Sequence, residues 1–101
     1  MVVISKGIVH VFASKRPMAV SALNDWYNKT KNANWKNGAE VKETFNSVDA
    51  IGNDRYVFNI SGNNYRLIAM IHFNIRTVYI RGIFTHAEYN QLIKNGALQK
   101  I

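Results

Sequence analysis

The stretch RYVFNISGNNYRLIAMIHFNIRTVYIRGIF, Arg55 to Phe84, decides the fold. Its side chains alternate between apolar and polar over much of its length, the period of two that a strand presents. RYVFNI (55–60), YRLIAMIHF (65–73) and TVYIRGIF (77–84) read as three strands. SGNN (Ser61–Asn64) and NIR (Asn74–Arg76) read as the turns between them. Neither connection is long enough for a crossover, so the strands are expected to pair as an antiparallel meander.

Toward the N-terminus the period becomes helical. The short apolar run Val2 to Ile4 suits a buried strand, and Ser5 is placed to cap a first helix with Ile8, Val9 and Phe12 inward. Pro17 fits the first turn of a second helix, on which Ala19, Leu23, Trp26, Tyr27 and Thr30 share a face. Residues 32–38 read as a loop with Trp35 folded back onto the core, and AEVKETF as a short helix burying Val41 and Phe45. Helices followed by a meander imply an α+β fold, with helices packed on one face of an antiparallel sheet. The length, 101 residues, suits one domain spanning 1–101.

Composition narrows the chemistry. There is no cysteine, so disulfides and thiolate catalysis are excluded. No HExxH pair, carboxylate cluster, phosphate-binding glycine loop or serine elbow is present, and neither a metal nor a cofactor is expected. No apolar run approaches the roughly 20 residues needed to cross a membrane, and the N-terminus lacks the pattern of a signal peptide. A cytoplasmic location without membrane association is expected.

The formal net charge is +7, and residues 55–84 contain four arginines and no acid. Arginine's planar fork suits phosphate, so nucleic acid is a natural partner. The other reading is a solvated surface. By strict alternation, Tyr65, Leu67, Ala69, Ile71 and Phe73 form one face of the middle strand, and Val78, Ile80, Gly82 and Phe84 the matching face of the last strand. Arg66 and Arg81 then lie together on the opposite face with Tyr79 nearby. They are either an anion site or two surface arginines whose stems cover Ile68 and Ile83.

After the last strand comes THAEY, Thr85 to Tyr89. Thr85 and Glu88 have the spacing of a capping box. His86 falls at the first helical position and Tyr89 about one turn on. A helix N-terminus attracts anions and favours a neutral imidazole, which can move a proton beside a phosphate. The cap and a catalytic role for His86 are compatible.

Taken together, LNDWYNKTKNANW (Leu23–Trp35), AEVKETF (Ala39–Phe45), VFNISGNNYRLI (Val57–Ile68) and VYIR…THAEY (Val78–Tyr89) resemble the HigB-type mRNA interferase toxins of the RelE superfamily. The resemblance runs over nearly the whole chain, and the last two blocks are the specific ones. It implies a RelE-like α+β fold and a toxin of a type II toxin–antitoxin module. It implies cleavage of mRNA on the ribosome by 2′-hydroxyl attack without a metal, and a HigA-type helix-turn-helix antitoxin as partner. The expected catalytic residues are Arg66, Arg81, His86 and Tyr89. Asn63, Asn64, Arg76 and Tyr79 are expected to contact RNA. The chain departs from the family pattern at Asn64, where a lysine is usual, at Asn90, where an aspartate is common, and in the order of Gly82 and Phe84. A ParE-like toxin that inhibits DNA gyrase without cutting RNA, and a non-catalytic RNA-binding module, are the competing readings.

Overall fold

In the computed structural model, which describes the backbone of residues 1–101 and every side chain except that of Gln99, the chain begins with β1 (Val2–Ile4) and α1 (Lys6–Lys15). A 3-10 turn at Pro17–Ala19 leads into α2 (Val20–Asn32), and α3 (Gly38–Thr44) follows a loop. The rest is β2 (Val48–Gly52), β3 (Arg55–Ile60), β4 (Tyr65–His72), β5 (Thr77–Thr85) and α4 (His86–Lys94), with a last 3-10 turn at Leu98–Lys100.

The α+β expectation holds, and the meander forms with β3–β4–β5 antiparallel. Two strands enlarge it into a five-stranded mixed sheet in the order β1-β5-β4-β3-β2. β2 was not anticipated. It joins β3 through the two-residue turn Asn53-Asp54, with φ of 53° and 62°, the left-handed pair that suits the twist of a tight hairpin. β1 pairs in parallel with β5, Val2 opposite Thr77. It lies at the sheet edge, so Val2 is 56% exposed, where a buried strand was expected.

α1 and α2 cover one face. Val9, Phe12, Leu23 and Trp26 bury against Phe58, Leu67, Ala69, Ile71, Val78 and Ile80. Tyr65 meets Phe12 edge to face at 5.2 Å, which fixes the odd-numbered residues of β4 toward the helices. Trp35 folds back as expected, and its indole N–H donates to Thr44 Oγ1 at 2.9 Å. Ser5 precedes α1 but makes no side-chain cap. Its φ is 72°, and its carbonyl accepts from the Ile8 N–H at 3.0 Å.

β5 does not alternate strictly. Ile68 pairs with Gly82 and Ala69 with Ile80, so Arg81 is an extra residue with no partner on β4. The faces of β5 exchange there. Val78 and Ile80 face the helices, but so does Ile83, which joins the same core. Gly82 and Phe84 are turned to the other face, correcting the set inferred from alternation. A Cβ on Gly82 would come within 2.7 Å of the Phe84 ring, so glycine is what lets that ring fold over the strand.

The face away from α1 and α2 also has a buried part. Val57 and Ile68 are cross-strand partners on it, at 1% and 0% exposure, and stand apart from the main core. α4 turns back from the end of β5 and packs on β4 and β5. Among the described residues no helix is long and apolar enough to cross a membrane.

Truncating Ile68 to Ala is expected to lower the unfolding free energy by about 2–5 kcal/mol, the cost of a buried cavity. Val2→Ala, exposed at the edge, should stay within about 0.5 kcal/mol of wild type. Urea unfolding followed by far-UV circular dichroism compares the two. A small effect at Ile68 would mean that this second face is not a core.

Candidate RNA interface

The helix junction is built as its sequence reads. Thr85 Oγ1 accepts from the Glu88 N–H at 3.2 Å, and Glu88 Oε1 accepts from the Thr85 N–H at 2.8 Å. A third bond comes from tertiary structure: the His86 N–H donates to the Asn64 carbonyl at 3.2 Å, tying the start of α4 to the β3–β4 turn. His86 is exposed, and its Nδ1 lies 3.0 Å from Asn90 Nδ2, one turn along the helix.

Arg66 lies beside this junction, on the face opposite Tyr65. Its Nη1 donates to the main-chain carbonyls of Asn63 at 3.0 Å and Tyr65 at 3.2 Å. Its guanidinium carbon sits 5.6 Å from the centre of the Tyr89 ring, a cation–π contact. A guanidinium has five N–H donors, and among the described residues only those on Nη1 have a partner. Among the described residues no carboxylate lies within ion-pairing distance of Arg66 or Arg81. Burial, and then the negative charge of Asp49, push the Tyr89 phenol above its ordinary value of 10.0, with Arg66 opposing them. The hydroxyl is therefore a hydrogen-bond donor at neutral pH.

Five of the eight sequence-derived candidates gather here: Asn63, Asn64, Arg66, His86 and Tyr89. The other three do not. Arg66 pairs with Phe84, so the exposed bulge residue Arg81 is three positions further down β5, roughly 10 Å along the strand. The two arginines are not the adjacent pair that alternation suggested. Tyr79 is lower still, its ring 5.5 Å from that of His72. His72 Nε2 in turn lies 3.8 Å from Asp54 Oδ2. Arg76 is at the far end of β5, in the left-handed region at φ 54°. Its carbonyl accepts from the Val2 N–H at 2.7 Å, and it lines a shallow cavity of about 690 Å³ with Tyr27 and Lys31. Sequence reading overlooked Asp49, which lies on the unanticipated β2. It also passed over the His86–Asn90 contact, although i,i+4 spacing on a helix was the available signal.

The grouped residues form a shallow, exposed surface. A cavity of about 430 Å³ opens between α1 and β5, with Ile8, Val11, Phe12, Lys15 and Ile83 in its lining, and takes in only Glu88 from the junction. A phosphate on a flexible strand can reach such a surface, whereas a small metabolite would be poorly enclosed. Among the described residues no three His, Cys, Asp or Glu side chains come together as a metal site.

Residues 19–92 match the family model described as HigB_toxin, RelE-like toxic component of a toxin-antitoxin system. The mRNA interferase HigB of Escherichia coli O6:H1 (strain CFT073) is 32% identical over 96 residues, which is 93% of this chain and 93% of that protein. The mRNA interferase toxin HigB of Escherichia coli (strain K12) is 34% identical over 80 residues, 77% of each chain.

Two measurements probe the geometry without any assay of activity. Thr85→Ala should cost about 1 kcal/mol of stability through the lost cap, read from chemical unfolding. In an alkaline absorbance titration, the phenol that disappears in Tyr89→Phe should be one that ionises above 10.0. A missing phenol with an ordinary midpoint would contradict the burial of Tyr89 against Arg66.

Proposed function

The chain belongs to the HigB family of RelE-like toxins, and from that premise we propose that it is an endoribonuclease that cleaves mRNA and so stops translation and growth. The observation that carries the reading is the half-buried Arg66, held by two main-chain carbonyls against Tyr89 near the capped start of α4, with no carboxylate among the described residues in ion-pairing distance. The relatives named mRNA interferase HigB supply the substrate class.

Cleavage proceeds by in-line attack of a ribose 2′-hydroxyl on the adjacent phosphorus. The bond to the leaving 5′-oxygen breaks as the new bond forms. The 2′-hydroxyl proton passes to solvent water, and the leaving 5′-oxygen takes a proton from solvent. The phosphorus passes through a state with extra negative charge on its non-bridging oxygens, so donors fixed beforehand act most strongly there. Arg66 meets that requirement: its Nη1 is held by the Asn63 and Tyr65 carbonyls, and its remaining donors are the ones that bind the phosphate. Tyr89 supports the guanidinium with its ring and offers a neutral hydroxyl. His86 supplies the imidazole beside the same phosphate. Arg81, offset along β5, takes a neighbouring backbone phosphate. Asn63 and Asn64 form the rim of the site, and Tyr79 extends the RNA path down the strand, while Arg76, beside Tyr27 and Lys31, lies off it.

The ribosome is the place of cleavage, where an mRNA strand is held open for such a shallow site. The partner in the module is a HigA-type helix-turn-helix antitoxin with an acidic contact surface, complementary to a chain of net charge +7.

Expression without the antitoxin should arrest growth and shorten mRNA within coding regions. Primer extension should map the new ends, and the downstream fragments should carry a 5′-hydroxyl that kinase labels without phosphatase treatment. Cleavage of a minimal RNA should persist in EDTA. Arg66→Ala and His86→Ala should each lower the rate by about 10²-fold or more while keeping the fold. A 5′-phosphate on the downstream fragment would falsify the roles given to these residues. Intact mRNA with defective supercoiling would instead point to gyrase.

A further inference from the structure

His86 and Asn90 are one helical turn apart, and their side chains meet with Asn90 Nδ2 3.0 Å from His86 Nδ1. An amide nitrogen has hydrogens to give and no lone pair with which to accept. With Nδ2 turned to the ring, Nδ1 takes the acceptor role, which goes with a neutral ring protonated on Nε2. The backbone beneath the ring is fixed three times over: by the Thr85 and Glu88 halves of the capping box and by the bond from the His86 N–H to the Asn64 carbonyl. With Nδ1 held by Asn90, the nitrogen left to meet a ligand is Nε2.

The surrounding charges do not compete for the ring. Glu88 on the same helix is engaged with the Thr85 N–H. Arg66 of β4 is bonded to carbonyls and makes a cation–π contact with Tyr89, and Asp49 of β2 acts on Tyr89. Among the described residues none of these makes an ion pair with His86.

We propose that Asn90 is a positioning residue that holds His86 in its Nε2–H form, so that His86 meets the RNA phosphate as a hydrogen-bond donor and not as a general base. A base at Nε2 needs the proton on Nδ1, and Asn90 occupies that lone pair with a donor. A donor at Nε2 stabilises the charge that grows on a non-bridging oxygen without transferring a proton. A carboxylate at position 90 would act in the opposite sense. It would accept from Nδ1–H, leave Nε2 unprotonated and make the same ring a base. The inference rests on the reading of His86 as part of the RNA site, but the state of its ring is measurable without RNA.

Long-range proton–nitrogen NMR of the full chain, at a pH above the ordinary histidine range, reports which ring nitrogen is protonated. The His86 signals are identified by their loss in His86→Gln. Wild type should show Nε2 protonated and Nδ1 bare. Asn90→Asp should exchange the two, and Asn90→Ala should give a mixture of tautomers. In cleavage of a minimal RNA, Asn90→Ala should lower kcat by roughly 10-fold to 10²-fold with little change in KM, since ring orientation is lost and binding is not. Asn90 is exposed on the helix, so these variants keep the fold. Protonation of Nδ1 in wild type overturns the proposal, as does a ring state that Asn90→Ala leaves unchanged. An Asn90→Ala protein that cleaves at the wild-type rate removes the positioning role even if the tautomer shifts. Should wild type cut no RNA at all, the endoribonuclease reading fails while the NMR result still decides the state of the ring.

Discussion

Two antiparallel strands run residue against residue until a bulge sets two against one. In β5 that extra residue is Arg81, between the pairs Ile68–Gly82 and Ala69–Ile80. β4 is apolar on both faces, with Leu67, Ala69 and Ile71 under the helices and Ile68 buried on the other side. β5 must match both. Below the bulge it gives Val78 and Ile80 to the main core, and above it gives Ile83. Gly82 and the ring of Phe84 fall to the opposite face, beside Ile68 and Arg66. Without the bulge, Ile83 would face away from the core and Gly82 would leave a gap in it.

The bulge also sets where β5 delivers the chain. Thr85 ends opposite Tyr65, and α4 starts against the β3–β4 turn through the bond from His86 to the Asn64 carbonyl. From that start Tyr89 reaches Arg66 on the face away from α1 and α2. A half-buried guanidinium there is tolerable because its Nη1 hydrogens bond carbonyls and its π-face has an aromatic neighbour. Each contact is modest: a cap contributes about 1 kcal/mol and an exposed cation–π pair about 0.5–1 kcal/mol. Their effect is geometric, since they hold Arg66 against Tyr89 and the backbone of His86 against the β3–β4 turn.

The same arrangement accounts for the openness of the surface. A strand end, a turn and a helix N-terminus meet without enclosing a cavity, while an apolar cleft of about 430 Å³ lies beside α1. Orientation here comes from main-chain carbonyls, a helix cap and an i,i+4 side-chain pair. Such a site can be reached by a long polyanion from outside and needs no closing lid.

Local pattern made much of this legible. Alternation gave three strands between Arg55 and Phe84, helical spacing put Ala19, Leu23, Trp26 and Thr30 on one buried face with Tyr27 half-buried beside them, and Thr85-x-x-Glu88 gave the cap. Family blocks pointed to Arg66, His86 and Tyr89, which the structure brings to one end of the sheet. These features depend on neighbours a few residues apart, and sequence carries them directly. β2 was missed because VDAIG is short and only its turn, Asn53-Asp54, marks it. The parallel seat of β1 depends on a strand some 75 residues away. The place of Arg81 depends on register: one unpaired residue moved it down the strand from Arg66, and no period within β5 reveals which residue lacks a partner. Sequence by itself determined which cationic, imidazole and phenol side chains exist. Tertiary structure decided which of them stand together, because strand pairing and helix docking fix distances that chain order leaves free.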